Sequence, residues 1–537
     1  MTITKLATIV KETKYRLLYS CLFTLLPFTT MAQDMRIIKG DCMPEFTKDG
    51  ALARGTQRRL PTPNTEWDST RTYRQLVILF SFSDKDFSMD NAQAAYNAIF
   101  NEKGYNGSYQ RNGAGCVADY FRDQSNGLFN LQFDVFGPYK VDTLAQPVNN
   151  PNASTKNYGR DQMQRATRLF LAEHPDLDFS VYDWNGNGKV NQVIYVCAGY
   201  GGNQSSTKCY GYIWPNTSSF GTISTPDGHT ISDYTISCEL WSNDTSFGIG
   251  TICHEYTHSL GLPDIYPTNG WTYSAVDEWD LMDGGNFTNY GWCPPNYTPL
   301  EKMLMGWLKP TELTEPTTVR DLKPAAEGGD VYMVRHTANE YLLLENRQWR
   351  GWDYGVPGKG LVIYHVNYIP SRWSNNTVNN TQNQFNFDIL HADMLDYSQW
   401  EAEVQARGIT SQNGTYQHTP RLNRWMLSGS PYPYETEGSI NDALTDESSP
   451  ATQMYNQNEQ ASKLLSKPIT NIKMSADGLV TFDFMGGTST AIHSQAATSD
   501  QHLSGLYDLS GRRYATRNGK GIYIERKTDG TIRKLLK

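Results

Sequence analysis

The segment Gly248-Ile-Gly-Thr-Ile-Cys-His-Glu-Tyr-Thr-His-Ser-Leu-Gly-Leu-Pro-Asp-Ile-Tyr266 restricts the fold more than any other part of the chain. Ile249, Ile252, Cys253, Tyr256 and Leu260 recur at helical spacing and make one apolar face, which must pack inward. His254 and His258 stand four apart, so they project together from the opposite side of the same helix. Gly261 ends that helix, because a left-handed cap is cheapest without a Cβ, and Pro263 forbids its continuation. The turn can then bring Asp264 back toward the two imidazoles. Two histidines so placed can share one zinc ion, and Glu255 beside them can take a proton from a water on the metal. Asp264 is the expected third ligand, and Glu278, twenty residues beyond His258, is the alternative. With 10 His in 537 residues, His-Glu-x-x-His arises by chance in roughly one such chain in a hundred. Gly261 and Asp264 at their positions make coincidence far rarer. The opposing view is a pair of surface histidines on an ordinary amphipathic helix.

A second oxygen-rich pattern is Asp183-Trp-Asn-Gly-Asn-Gly-Lys-Val-Asn191. Asp183, Asn185, Asn187, Lys189 and Asn191 fall at alternate positions, and Gly188 is sixth, as at the start of an EF-hand-type calcium loop. Position twelve is Ile194 instead of a bidentate Glu, and Asp183 carries the one negative charge, so any Ca2+ is expected to be weakly held. An Asn-Gly turn is the competing reading. His174, His336 and His365 lack ligand spacing and read as structural or surface residues.

The remaining chain supplies the frame. Gln75–Phe82 and Gln192–Ala198 read as buried strands, with a helix over Asp161–Glu173 between them, so the expected fold class is α/β (α+β). From about residue 310 the texture changes to short strands separated by turns, including Val331–Val334, Tyr341–Glu345, Leu361–Val366 and Leu479–Phe484, which predicts a β-sandwich domain over 311–487 after a catalytic domain over 69–310. Hydrophobic residues at 38% and aromatics at 12% suffice for packed cores, while charged residues at 19% leave a surface of neutral polar groups, which suits an extracytoplasmic protein. The balance of 47 Lys and Arg against 56 Asp and Glu argues against nucleic acid as a partner. Residues 1–32 read as a signal peptide, with Lys5, Lys11, Lys14 and Arg16 before the apolar run Leu17–Phe28 and cleavage after Ala32. No later stretch is long and apolar enough to span a membrane. Residues 33–68 read as a prosegment or connector, 488–503 as a linker, and 504–537 as a basic tail.

Glu278-Trp-Asp-Leu-Met-Asp-Gly-Gly285 places Met282 in a tight turn, as in the Met-turn of metzincin proteases. Taken with His254–Tyr266, the segments Trp279–Asp283, Pro299–Met303 with Gly306-Trp307, Glu345–Arg347 and Gly360–His365 resemble the immune inhibitor A family of secreted zinc metalloproteases. Asp119–Ser125 and Asp134–Pro138 are also similar to it. The resemblance spans about Arg74 to Gly486. It implies a metzincin-like protease with His254, His258 and Asp264 as zinc ligands, Glu255 as catalytic base and Met282 as support beneath the site. Tyr290 and Tyr297 are candidates for stabilising the oxyanion. The tail, with nine Lys or Arg against three acids, resembles type nine secretion targeting segments of Bacteroidota cargo, which implies the secretion machinery as a partner.

The expected function is an exported zinc endopeptidase acting on extracellular proteins and peptides. The alternative is a surface adhesin with a vestigial metal site, against which the intact Glu255 argues. Cysteine parity adds a question of latency. Removing Cys21 with the signal and Cys42 with residues 33 to about 59 leaves six cysteines, an even number for an exported chain. Asp41 or Cys42 could meanwhile occupy the zinc in the precursor.

Overall fold

The computed structural model describes residues 59–107, 114–147, 155–204, 206–269, 275–381, 384–395 and 427–487, together with four strands beyond residue 504. The expected signal segment, Asp41 and Cys42 lie outside the described residues. The architecture is mixed α/β. Strands β1 (Thr72–Ser81), β2 (Asn130–Lys140), β3 (Val193–Tyr200), β4 (Asn216–Ser224) and β5 (Thr230–Leu240) form one sheet in the order β2-β1-β3-β5-β4. All pairings in it are parallel except β4 against β5.

Parallel neighbours need crossovers, and helices supply them on both faces. On one face Val77 and Leu79 of β1 share a core with Tyr96 and Phe100 of helix Ala92–Asn101, Tyr120 and Phe121 of helix Val117–Gln124, and Ile252 and Tyr256 of helix Gly250–Ser259. On the other, Leu76, Ile78 and Phe80 meet Met163, Ala166 and Phe170 of helix Lys156–Glu173. A strand alternates its side chains between faces. Because both faces are covered, the run Leu76–Phe80 is continuously apolar, and this is why it was legible as a buried strand.

The C-terminal strands β6 (Thr311–Glu312), β7 (Thr317–Leu322), β8 (Tyr332–Arg335), β9 (Glu340–Arg347), β10 (Gly360–Asn367) and β11 (Phe387–Ile389) are followed by the hairpin β12 (Tyr434–Thr436) and β13 (Ser439–Asn441), and by β14 (Ile469–Met474) and β15 (Val480–Phe484). They make a five-stranded sheet, β11-β10-β9-β8-β6, and a three-stranded sheet, β14-β15-β7. Leu342, Leu344, Leu361 and Ile363 of the first face Val319, Ile469, Phe482 and Phe484 of the second across a shared core. The change of texture near residue 310 is nevertheless not a break between compact units, since the chain through Thr488 clusters as one. The reason lies on the other side of the five-stranded sheet. Leu343, Val362, Tyr364 and Val366 belong to the same core as Ile252, Trp279 and Met282, and burying both faces ties the C-terminal half to the histidine helix.

The end of the expected connector is held against this body. Leu60 is buried and its N–H donates to Ser374 O at 2.8 Å, while Trp67 Nε1 donates to Met305 O at 2.7 Å. Beyond Ser489 lies a second unit, in which β16 (Gly505–Asp508), β17 (Arg513–Tyr514), β18 (Ile522–Arg526) and β19 (Ile532–Leu536) form an antiparallel sheet in the order β17-β16-β18-β19. Among the described residues no helix is long and apolar enough to cross a membrane.

His365 on β10 is a structural histidine of an unusual kind. It is buried between Glu340 Oε1, 2.9 Å from its Nε2, and Asp388 Oδ1, 3.2 Å from its Nδ1. Burial disfavours the imidazolium, but the Asp388 and Glu340 carboxylates outweigh it and raise the group to about 9. A folded-state value above the ordinary 6.5 means stabilisation that is complete below about pH 6.5 and lost as pH rises through about 9. At about 1.4 kcal/mol per unit, roughly 3 kcal/mol is expected to disappear across that window. Urea unfolding at pH 6 and pH 9.5 should show this loss in the wild-type protein and not in His365→Gln. Parallel pH profiles for the two proteins would rule the interaction out as a determinant of stability.

Candidate metal centre

Helix Gly250–Ser259 carries both histidines. Its apolar side forms as the spacing predicted: Ile249, Ile252, Cys253 and Tyr256 lie in the core, with Leu260 packed against it. The histidine side is also covered, and His254 and His258 are 4% and 2% exposed. The covering is the turn after the helix together with the Leu281-Met282 turn. Gly261 takes φ +106°, and a Cβ there would sit 2.5 Å from Pro61 O, so both the backbone angle and the close approach of the connector require glycine. After it, Leu262 and Asp264 fold back on the helix.

His254 Nδ1 lies 2.9 Å from Leu281 O and His258 Nδ1 lies 2.8 Å from Leu262 O. A carbonyl oxygen only accepts, so each Nδ1 carries the hydrogen, and in the neutral imidazoles the lone pairs reside on Nε2. Those two Nε2 atoms are 3.2 and 3.1 Å from the same oxygen, Asp264 Oδ1. That oxygen is buried and receives no hydrogen bond. Three lone pairs thus converge without a donor between them, an arrangement that repels itself unless a positive charge enters. The donor set of two imidazole nitrogens and one carboxylate oxygen suits Zn2+. Burial opposes charge on His254, yet the neighbouring Asp264 and Glu255 carboxylates and the Leu281 carbonyl raise it to about 9, so this site favours a positive charge between its groups, a proton or a metal ion. Asp264 is in turn held well below the usual carboxylate range, against its burial, by His258 and His254.

Candidate ligand atoms of His254, His258 and Asp264 all lie within 4.8 Å of one another. Glu278 is not part of this cluster and is buried in the turn Asp277–Trp279. Glu255, next to His254 but half-buried, keeps access to solvent that the cluster lacks. Its own carbonyl accepts from Thr217 Oγ1 on β4, which sets the edge strand of the sheet beside the helix. Met282 is fully buried next to Leu281, whose carbonyl meets His254: its N–H donates to Asp280 Oδ1 at 2.6 Å and its carbonyl accepts from Ile265 N at 2.9 Å. The turn therefore links the base of the site to the segment carrying Asp264.

Other candidates fall elsewhere. The Tyr297 hydroxyl pairs with Thr257 Oγ1, and its ring stacks on Trp307 at 5.4 Å, so it serves the core behind the helix and does not face the metal side. Tyr290 sits half-buried in a loop with φ +58°, its carbonyl accepting from Trp241 Nε1. In the Asp183 loop the oxygens are spent on the chain itself. Asp183 Oδ1 and Oδ2 accept from Asn187 N (3.1 Å) and Gly188 N (2.7 Å), Asn187 Oδ1 from Lys189 N (3.1 Å), and Asn191 Oδ1 from Trp184 N (2.8 Å). Asn185 points to solvent, and Lys189 Nζ reaches Asp233 at 2.9 Å. This is the geometry of a self-closed turn, and it gives Ca2+ no support. Cys116, Cys197, Cys253 and Cys293 are buried free thiols, so four of the six cysteines that parity would pair stand outside disulfides. Burial pushes Cys116, Cys197 and Cys293 up to about 12, which leaves them unreactive.

Residues 213–303 match the Immune inhibitor A peptidase M6 catalytic domain. The matched stretch holds the whole cluster, Glu255 and Met282. The chain is also similar to Pre-pro-metalloprotease PrtV of Vibrio cholerae serotype O1, at 24% identity over 258 residues covering 42% of this chain and 26% of the relative. It is similar as well to Immune inhibitor A of Bacillus thuringiensis subsp. alesti, at 22% over 298 residues, covering 47% of this chain and 43% of the relative. The chain thus spans less than half the length of the curated relatives it matches.

One residue at the centre was missed by the sequence reading. Asn376, which follows the short helix Pro370–Ser374, lies against Asp264 on the side away from the histidines. The Asn-rich stretch Asn375–Asn386 was visible in the sequence, but nothing local tied it to a site more than a hundred residues earlier.

Proposed function

We propose that this chain is an exported zinc-dependent endopeptidase in which His254, His258 and Asp264 hold the ion and Glu255 is the general base. The observation that supports this most is the convergence of two imidazole lone pairs on the donorless Asp264 Oδ1, with Glu255 on the same helix. When bound, zinc supplies Lewis-acid polarisation of the scissile carbonyl and of water. Glu255 takes the proton of the attacking water and passes it to the leaving amine. Its half-exposed position beside β4 suits an extended peptide lying along the sheet edge. The Met282 turn fits a metzincin-like arrangement, and the two C-terminal sheets fit a β-sandwich accessory region. Export rests on residues 1–32, and delivery through secretion machinery on the basic tail.

The test is direct. Protein lacking the first 32 residues and the connector through Arg59 should carry about one zinc per chain and digest an unfolded protein such as reduced casein. A chelator should abolish digestion, and added zinc should restore it. Zinc bound without any cleavage would support the adhesin reading instead.

A further inference from the structure

Asp264 has two carboxylate oxygens, and only one of them faces the histidines. The other, Oδ2, accepts a hydrogen bond from Asn376 Nδ2 at 2.7 Å, while the backbone N–H of Asp264 donates to Asn376 Oδ1 at 2.6 Å. One amide side chain therefore grips the residue at two points, as acceptor and as donor, and fixes the rotation of the carboxylate. Asn376 is fully buried and holds φ +56°, a conformation that Asn tolerates better than other residues with a Cβ. The backbone around it is anchored as well. Thr268 Oγ1 donates to Asn376 O at 2.7 Å, Thr268 N donates to Asn380 Oδ1 at 2.7 Å, and Asn379 Nδ2 donates to Ile265 O at 3.0 Å. Residues 376–380 thus run as a strap along Asp264–Asn269.

We propose that Asn376 is a positioning residue for the metal centre: it orients Asp264 so that Oδ1 alone is presented between the two imidazoles. Resting on the zinc reading above, this assigns to a residue outside the matched catalytic stretch a share of the metal affinity. An untethered carboxylate rotates, exposes either oxygen and loses the fixed alignment with the two Nε2 atoms. Partners that hold a ligand from behind typically contribute 10- to 100-fold in affinity. Asn376 touches no reacting atom, so its effect appears in metal retention first and in turnover only through it.

The experiment compares zinc dissociation constants, by competition with a chromogenic chelator, for the wild-type chain, Asn376→Ala, Asn376→Ser and Asn379→Ala. Asn379 is the control: it holds the same strap through Ile265 O, Phe387 O (2.8 Å) and the N–H groups of Asn386 (2.9 Å) and Phe387 (3.2 Å). Asn376→Ala should raise the zinc Kd roughly 10- to 100-fold, and Asn376→Ser by less, since its hydroxyl cannot bridge both points. Asn379→Ala should lower the Tm at least as much as Asn376→Ala yet leave the Kd within about threefold. Excess zinc should restore kcat in Asn376→Ala. Unchanged affinity in both Asn376 variants, or equal loss in Asn379→Ala, overturns the positioning role while leaving the zinc reading intact. A wild-type chain that binds no zinc overturns the zinc reading and the clamp with it. Asn376→Ser keeps the site measurable should the alanine variant fold poorly.

Discussion

Glu255→Gln should lower kcat/KM by about 10²- to 10⁴-fold, the usual worth of a positioned general base, while zinc content stays near that of the wild type. Glutamine preserves the shape and hydrogen-bonding reach of the side chain but has no basic oxygen. Because Glu255 is outside the cluster of His254, His258 and Asp264, its replacement removes proton transfer and spares the ligands. An interaction used only in the transition state lowers kcat and kcat/KM together, so KM for a peptide substrate should stay nearly constant. A Glu255→Gln enzyme with full turnover would refute the mechanism, and one that loses its zinc would place Glu255 among the ligands.

Asp264→Ala and Glu278→Ala form the second test, and they should separate widely. Removing Asp264 deletes the oxygen that lies 3.2 and 3.1 Å from the two imidazole Nε2 atoms. Two neutral histidines remain, with no anionic ligand. Zinc affinity should fall by more than the roughly 100-fold at the upper end for a partner behind the ligands, and proteolysis at ordinary zinc levels should disappear. Glu278→Ala leaves the cluster intact and should retain zinc, although a buried carboxylate is lost and the Tm can fall. Zinc retained in Asp264→Ala but lost in Glu278→Ala would transfer the third ligand to the later position.

What the sequence made legible was periodic or local. The helix, its apolar face and the convergence of His254 with His258 follow from a 3.6-residue repeat, and Gly261 with Pro263 marks the stop. Strands such as Leu76–Phe80 were readable because both of their faces are covered. The illegible part was every contact closed across the chain. Asn376 meets Asp264 at a separation of 112 residues, and no local signal encodes that meeting. Similarly, the apolar strands Tyr341–Glu345 and Leu361–Val366 looked like the inside of a separate sandwich. Nothing in their alternation revealed that one face, through Leu343 and Val362, is shared with the core under the histidines. The Asp183 loop is the converse case: oxygens at alternate positions suit a cation, but they equally suit the loop's own amides, which are always present.

The strap over Asp264 also imposes an order of assembly. The chain emerges from the ribosome N-terminus first, so the helix with both imidazoles and its first acid exists well before Asn376 has been made. Until that later segment docks, Asp264 lacks the two hydrogen bonds that fix its carboxylate, and a metal ion would be held less well. On the proposed zinc reading, activity would thereby be withheld from a half-folded chain until the C-terminal segment carrying Asn376 docks on the helix.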